Sequence, residues 1–141
     1  MPFIKVWIHF VWATKSRKPL LTKSIKEKLI QHIKENAKSK DIFINEINGD
    51  KDHIHILVSL GASQSISKIA HLLKGESSNW INKNKLTKQN FEWQDEYFAV
   101  SVSESQHKII KKYIQNQESH HKKKSFSEEY KEFLDKYEFT I

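Results

Sequence analysis

The stretch Asp52-His53-Ile54-His55-Ile56-Leu57-Val58-Ser59-Leu60 sets two imidazoles one residue apart in an otherwise apolar run. Side chains on a strand alternate between faces, so His53 and His55 point the same way. Two neutral imidazoles side by side can fill two positions around a divalent cation. They can equally be fillers of a strand face, and spacing alone does not separate the two readings. The chain has no cysteine, which excludes disulfides, thiolate metal sites and a cysteine nucleophile. Any cation must be held by imidazole, carboxylate, amide or water.

A third donor has to come from a segment that packs over the same sheet face. The run Lys111-Lys112-Tyr113-Ile114-Gln115-Asn116-Gln117 offers Tyr113 and Gln117 at i and i+4, one side of a helix. A glutamine carbonyl beside two imidazoles gives a weak site with open positions. Such a site suits Mg2+ or Mn2+ when water and a substrate phosphate complete the shell. Tyr113, one turn away, can then attack a bound phosphate as nucleophile. Taken singly, Tyr113 is an ordinary core or surface residue of an amphipathic helix and Gln117 carries no signal.

The elements that would position these groups can be read from periodicity. Residues 3–13 alternate, with Ile4, Val6, Ile8, Phe10 and Trp12 on one face and Phe3, Lys5, Trp7, His9 and Val11 on the other. A helix is predicted over 24–39, opened by a Ser24/Glu27 capping box, with Ile25, Leu29, Ile33 and Ala37 inward. Asn48-Gly49 predicts the turn of a hairpin whose second strand carries the histidines. Its apolar face, Ile54, Ile56 and Val58, must meet the helices. The histidines therefore belong to the opposite face, and Asp52, on the opposite parity from them, closes the turn. A helix over 65–83 follows, with Gly75 and Ser77 allowing close approach. A short strand with Phe98, Val100 and Val102 on one face comes next. A third helix is predicted from Ser103 or Ser105 to about 118, then a basic connector, Ser119 to Ser125, and a last helix over 127–137. The order β-α-β-β-α-β is the α+β, ferredoxin-like split βαβ pattern of RNA-recognition modules: an antiparallel sheet with helices on one face, followed here by C-terminal helices. The whole chain, 1–141, reads as one domain, with a core over 3–118 and the connector and last helix over 119–141.

The chain has 141 residues, 24 basic against 17 acidic, and a net charge of +7. That balance fits a polyanionic partner as well as a merely basic soluble protein. The opening residues read as a strand rather than a signal peptide, and no segment is apolar enough to span a bilayer. A cytoplasmic protein without membrane contact is expected. Lys15, Arg17, Lys18, Lys74, Lys83, Lys85 and Lys88 are candidate phosphate contacts. His9 shares the histidine face as a supporting or substrate-contacting residue. Phe91 and Trp93 could stack on an unpaired base or anchor a loop.

The motif His53-Ile54-His55 resembles the His-apolar-His (HUH) motif of single-strand DNA nucleases. Tyr113-Ile114-Gln115-Asn116-Gln117 resembles the tyrosine helix of the single-tyrosine transposases of the IS200/IS605 group. The stretches IHFVWATKSRKPLL, SISKIAHLLKGESSNWI and WQDEYFAVSVS follow that pattern in order, so the resemblance covers about residues 3–118. It implies that His53, His55 and Gln117 hold Mg2+ or Mn2+. It implies that Tyr113 attacks single-stranded DNA and becomes joined to a 5′-phosphate, and that a 3′-OH later rejoins strands. The implied substrate is DNA with a subterminal hairpin. The implied assembly is a homodimer whose tyrosine helices complete the sites in trans, whereas palindrome-associated relatives act as monomers. Two other readings stay open: a non-catalytic module that stacks single-stranded nucleic acid on residues such as Trp7, and a metal-dependent hydrolase with Tyr113 as bystander.

Overall fold

Period-two alternation builds a four-stranded antiparallel sheet in this computed structural model, which describes residues 2–121 and 124–137. The strands are β1 (Trp7–Ala13), β2 (Phe43–Asp50), β3 (His53–Ser59) and β4 (Phe98–Val102), in spatial order β2-β3-β1-β4. Helices α1 (Lys23–Ser39) and α2 (Ile66–Lys83) make the two crossovers, which is the expected split βαβ. Their apolar stripes meet Ile8, Phe10 and Trp12 of β1 and Ile54, Ile56 and Val58 of β3 in one continuous cluster. Each fully buried aliphatic or Phe side chain there stabilises the fold by roughly 1.5–3 kcal/mol.

The other sheet face is covered as well. Helices α3 (His107–Gln115), α4 (Gln117–His121) and α5 (Phe126–Lys136) follow β4. Ile114 of α3 packs with Trp7, Leu57 and Val102. Phe126 of α5 packs with Val11, Ala13 and Phe98. Both sides of β1 are consequently buried along its whole length. No helix of the described residues is long and apolar enough to cross a membrane.

Several local expectations are corrected. The first strand begins at Trp7, not at residue 3, and Phe3 is fully exposed. Both neighbours run out there, since Ser59 of β3 and Val102 of β4 are the partners of Trp7. The α1 cap is Thr22, whose hydroxyl accepts from the Ile25 N–H at 3.3 Å, not Ser24. Lys26, three residues before Leu29, joins the buried stripe, where its ammonium donates to the Gly49 carbonyl (3.1 Å) and to Glu118 (2.7 Å). Asn48 and Gly49 lie inside β2, and Lys51-Asp52 make the turn. Gly49 serves close approach instead: a Cβ there would sit 2.3 Å from the His53 carbonyl oxygen. Gly75 faces open space, whereas Ser77 is buried and accepts from the Trp93 indole N–H at 2.9 Å. The third helix is broken at Asn116 rather than continuous to 118. The last helix starts one residue early, at Phe126, capped by Ser125 accepting from the Glu128 N–H. The basic connector lies in part outside the described residues.

Candidate metal centre and tyrosine site

The β3 register places the histidines. His53 pairs with Ala13 and Asp50, and His55 with Val11 and Asn48, in the two central strands and the edge hairpin. Both rings point to the α3–α5 side and have no exposed surface. His53 Nδ1 lies 2.8 Å from an Asp52 carboxylate oxygen. A carboxylate only accepts, so Nδ1 carries the proton and Nε2 keeps its lone pair in the neutral ring. That lone pair faces Gln117 Oε1 at 3.1 Å, while the Gln117 amide N–H2 donates to the Tyr113 carbonyl at 3.4 Å. His53 Nε2 and Gln117 Oε1 at this separation are placed so that both could ligate one cation. Asp52 thus orients His53, a role beyond the turn closure expected from its parity.

His9 stands behind the pair. Its Nε2 is 2.9 Å from His55 Nδ1, and the ring is buried. Burial pushes the His9 imidazole well below the usual histidine range, with His55 acting in the same direction and Glu129 opposing. In this conformation His9 supports His55 from beneath rather than facing solvent.

Tyr113 and Gln117 keep their i, i+4 relation across the break at Asn116. The half-buried Tyr113 hydroxyl donates to Glu129 Oε2. Burial first, then the Glu129 carboxylate, raises the phenol above the usual tyrosine range. Glu129 was not anticipated from sequence. It comes from α5, is buried, and its other oxygen lies 2.9 Å from His55 Nε2 and 3.7 Å from His53 Nε2. Among the described residues, His53, His55 and Glu129 form a group whose possible ligand atoms all lie within 4.8 Å of one another. The available signal was an acid on the stripe Phe126, Tyr130 and Phe133, where the i, i+3, i+4, i+7 spacing calls for apolar residues. The nucleophile candidate and the imidazole pair converge within a single chain.

The roof of the site is aromatic. Phe126 stacks on His53 with ring centroids 4.2 Å apart. The Arg17 guanidinium lies over Phe126 and Tyr130, at 5.3 and 5.4 Å, and donates to Ser127 Oγ at 2.6 Å. Arg17 therefore holds α5 down.

The other candidate DNA contacts scatter. Lys15 pairs with Glu92 on the surface at 2.9 Å. Lys18, Lys83, Lys85 and Lys88 are exposed. Lys74 donates to the carbonyls of Gln94 (2.6 Å) and Asp95 (2.7 Å). Partial burial lowers its ammonium from the usual lysine value, against the opposing pull of Asp95 and Glu96. Phe91 and Trp93 are buried loop anchors, and Trp7 is buried with its indole N–H donating to Glu104 at 2.7 Å. None of the three offers an open stacking surface.

A family model described as IS200-like transposase matches residues 3–117. The chain belongs to that family of DNA-processing enzymes. It is similar to the ISDra2 transposase TnpA of Deinococcus radiodurans, 28% identical over 115 residues, spanning 77% of this chain and 81% of that protein. A crystallised Deinococcus radiodurans protein assigned as a transposase superposes with a TM-score of 0.68 at 25% identity, covering 82% of this chain and 93% of the other. The fold is also shared with a REP-associated tyrosine transposase bound to a REP hairpin. There the TM-score is 0.61 at 18% identity, covering 82% and 68% of the two chains.

Proposed function

We propose that this protein, acting as one unit over residues 1–141, cleaves and rejoins single-stranded DNA beside a hairpin, with Tyr113 as nucleophile and a divalent cation held by His53, His55 and Gln117. The observation that carries the reading is the convergence of the Tyr113 hydroxyl with two imidazole Nε2 atoms and one amide oxygen under a common roof. Neutral nitrogen and oxygen donors of this kind accept Mg2+ or Mn2+. When bound, the cation supplies charge neutralisation at the phosphoryl oxygens. Asp52 fixes the His53 tautomer, and His9 supports the His55 ring. The Tyr113 oxygen forms a bond to phosphorus, its proton passes to a neighbouring base, and the P–O3′ bond breaks. The released 3′-oxygen takes up a proton, and the 5′-phosphate stays on the tyrosine. Attack by a DNA 3′-OH reverses these steps and frees Tyr113.

The test is incubation of the full chain with labelled hairpin-bearing single-stranded DNA and Mg2+, followed by a search for a detergent-stable adduct. Wild type forms it; Tyr113→Phe and His55→Ala do not. Cleavage by Tyr113→Phe would mark a water-using hydrolase. Binding without an adduct in wild type would mark a recognition module.

A homodimer with sites completed in trans is one arrangement. The convergence inside one chain favours a second, a monomeric nuclease. Mixing Tyr113→Phe with His55→Ala chains separates them: the mixture regains cleavage only where two chains share a site.

A further inference from the structure

Glu129 sits where neither motif places a residue. One carboxylate oxygen lies 2.9 Å from His55 Nε2 and 3.7 Å from His53 Nε2, and the other accepts from the Tyr113 hydroxyl. His53 Nε2 and Gln117 Oε1 are 3.1 Å apart. Donors bonded at about 2.1 Å to one octahedral cation lie about 3 Å from their neighbours. The 2.9 and 3.1 Å spacings, which here are hydrogen-bond distances, match the edges of such a shell, and the 3.7 Å spacing needs only a small adjustment for Glu129 to join it. A phosphate poised for attack must make the same two contacts, one oxygen toward the cation donors and one side toward the phenol. The carboxylate occupies that relation.

Charge gives the same answer. Two imidazoles and an amide leave a divalent ion uncompensated in a buried site, and burying unpaired charge is costly. Glu129 is the carboxylate that lies against both Nε2 atoms, whereas Asp52 meets the Nδ1 side of the His53 ring. Yet it rides on α5, whose Phe126 covers the His53 ring and whose Phe133 faces His55, with Phe126 clamped from outside by Arg17. His53, His55 and Gln117 have no exposed surface, so DNA cannot reach the imidazoles while α5 stays in place.

We propose that Glu129 is the resting anionic ligand of the cation site and a placeholder for the scissile phosphate, so that DNA binding exchanges a carboxylate for a phosphate and lifts α5. The inference rests on the transposase reading above. It is tested by titrating the full chain with Mn2+ and following the free-ion electron paramagnetic resonance signal. Glu129→Gln weakens Mn2+ binding by about tenfold or more, since ligand charge sets the affinity of such sites. His55→Ala also weakens it. At saturating Mn2+, Glu129→Gln forms the DNA adduct faster than wild type, because the phosphate no longer displaces an anion. Unchanged Mn2+ affinity in Glu129→Gln alongside a loss in His55→Ala overturns the inference and leaves the transposase reading standing. Equal Mn2+ binding by wild type and His55→Ala overturns the metal site itself. Loss of the adduct in Glu129→Gln at saturating Mn2+ makes Glu129 part of the chemistry and overturns its placeholder role. Should Glu129→Gln fail to fold, Arg17→Ala carries the test, because it loosens α5 from its outer side. Weaker Mn2+ binding and faster adduct formation support the inference there, and wild-type values of either overturn it.

Discussion

The two faces of the sheet are sealed by different means. On one, α1 and α2 close over a continuous apolar cluster running from Ile8 to Trp93. On the other, two small apolar clusters flank a strip of buried polar groups: His9, His53, His55, Gln117 and Glu129. Apolar packing has no internal exchange partner, so the first face opens only when the domain unfolds. Hydrogen bonds and donor atoms can be handed to a substrate, so the second face can open while the first holds. Apolar burial and the candidate site are thus divided between opposite sides of the same strands, residue by residue along β3.

That contrast can be broken by mutation. The largest effect is expected on the apolar face. Phe10→Ala removes a fully buried ring and should cost about 3–5 kcal/mol in chemical denaturation, with metal and DNA affinity of the folded fraction unchanged. On the polar face, Phe126→Ala should destabilise less, because α5 can undock alone. Hydrogen exchange should quicken in α5 while the amides of β1 and β3 keep their protection. Equal quickening in both would erase the division.

Acid should act on the polar face next. His9 is held below the usual histidine value in the folded chain and titrates near 6.5 once unfolded. The unfolded state then binds more protons as pH falls below about 6.5, so stability present at neutral pH is lost, by at most about 1.4 kcal/mol per pH unit. His9→Gln should flatten this part of the stability profile in urea melts taken between pH 7.5 and 5.5. The smallest effect is local. Thr22→Ala should cost about 1 kcal/mol through the lost α1 cap, whereas Ser24→Ala should change the melting temperature little.

The face on which the histidines lie was legible because alternation is a local signal, and the split βαβ arrangement followed from the order of the elements. Leu57, between two helix-facing residues, follows the same parity as His53 and His55. The i, i+4 relation of Tyr113 and Gln117 was equally local. What escaped depends on how distant segments meet. Asn48-Gly49 carries the signature of a tight turn, yet the glycine is there for a backbone approach across the hairpin. Arg17 resembles a phosphate contact until α5 lies beneath it. Glu129 belongs to a segment whose placement on the sheet no periodicity fixes. Its charge on an apolar stripe was the one visible mark.

The interruption at Asn116 has its own consequence. The phenol and the amide donor stand on separate short rods, and the joint between them is moored to the edge strand. There the Asn48 side chain donates to the Gln115 carbonyl at 3.0 Å, and the Gln115 side chain donates to Glu46 at 2.9 Å. A swivel at this mooring would carry the Tyr113 ring away while leaving the Gln117 amide oxygen behind. Reach and grip can therefore be retuned independently, one by substitutions ahead of the joint and the other by substitutions after it.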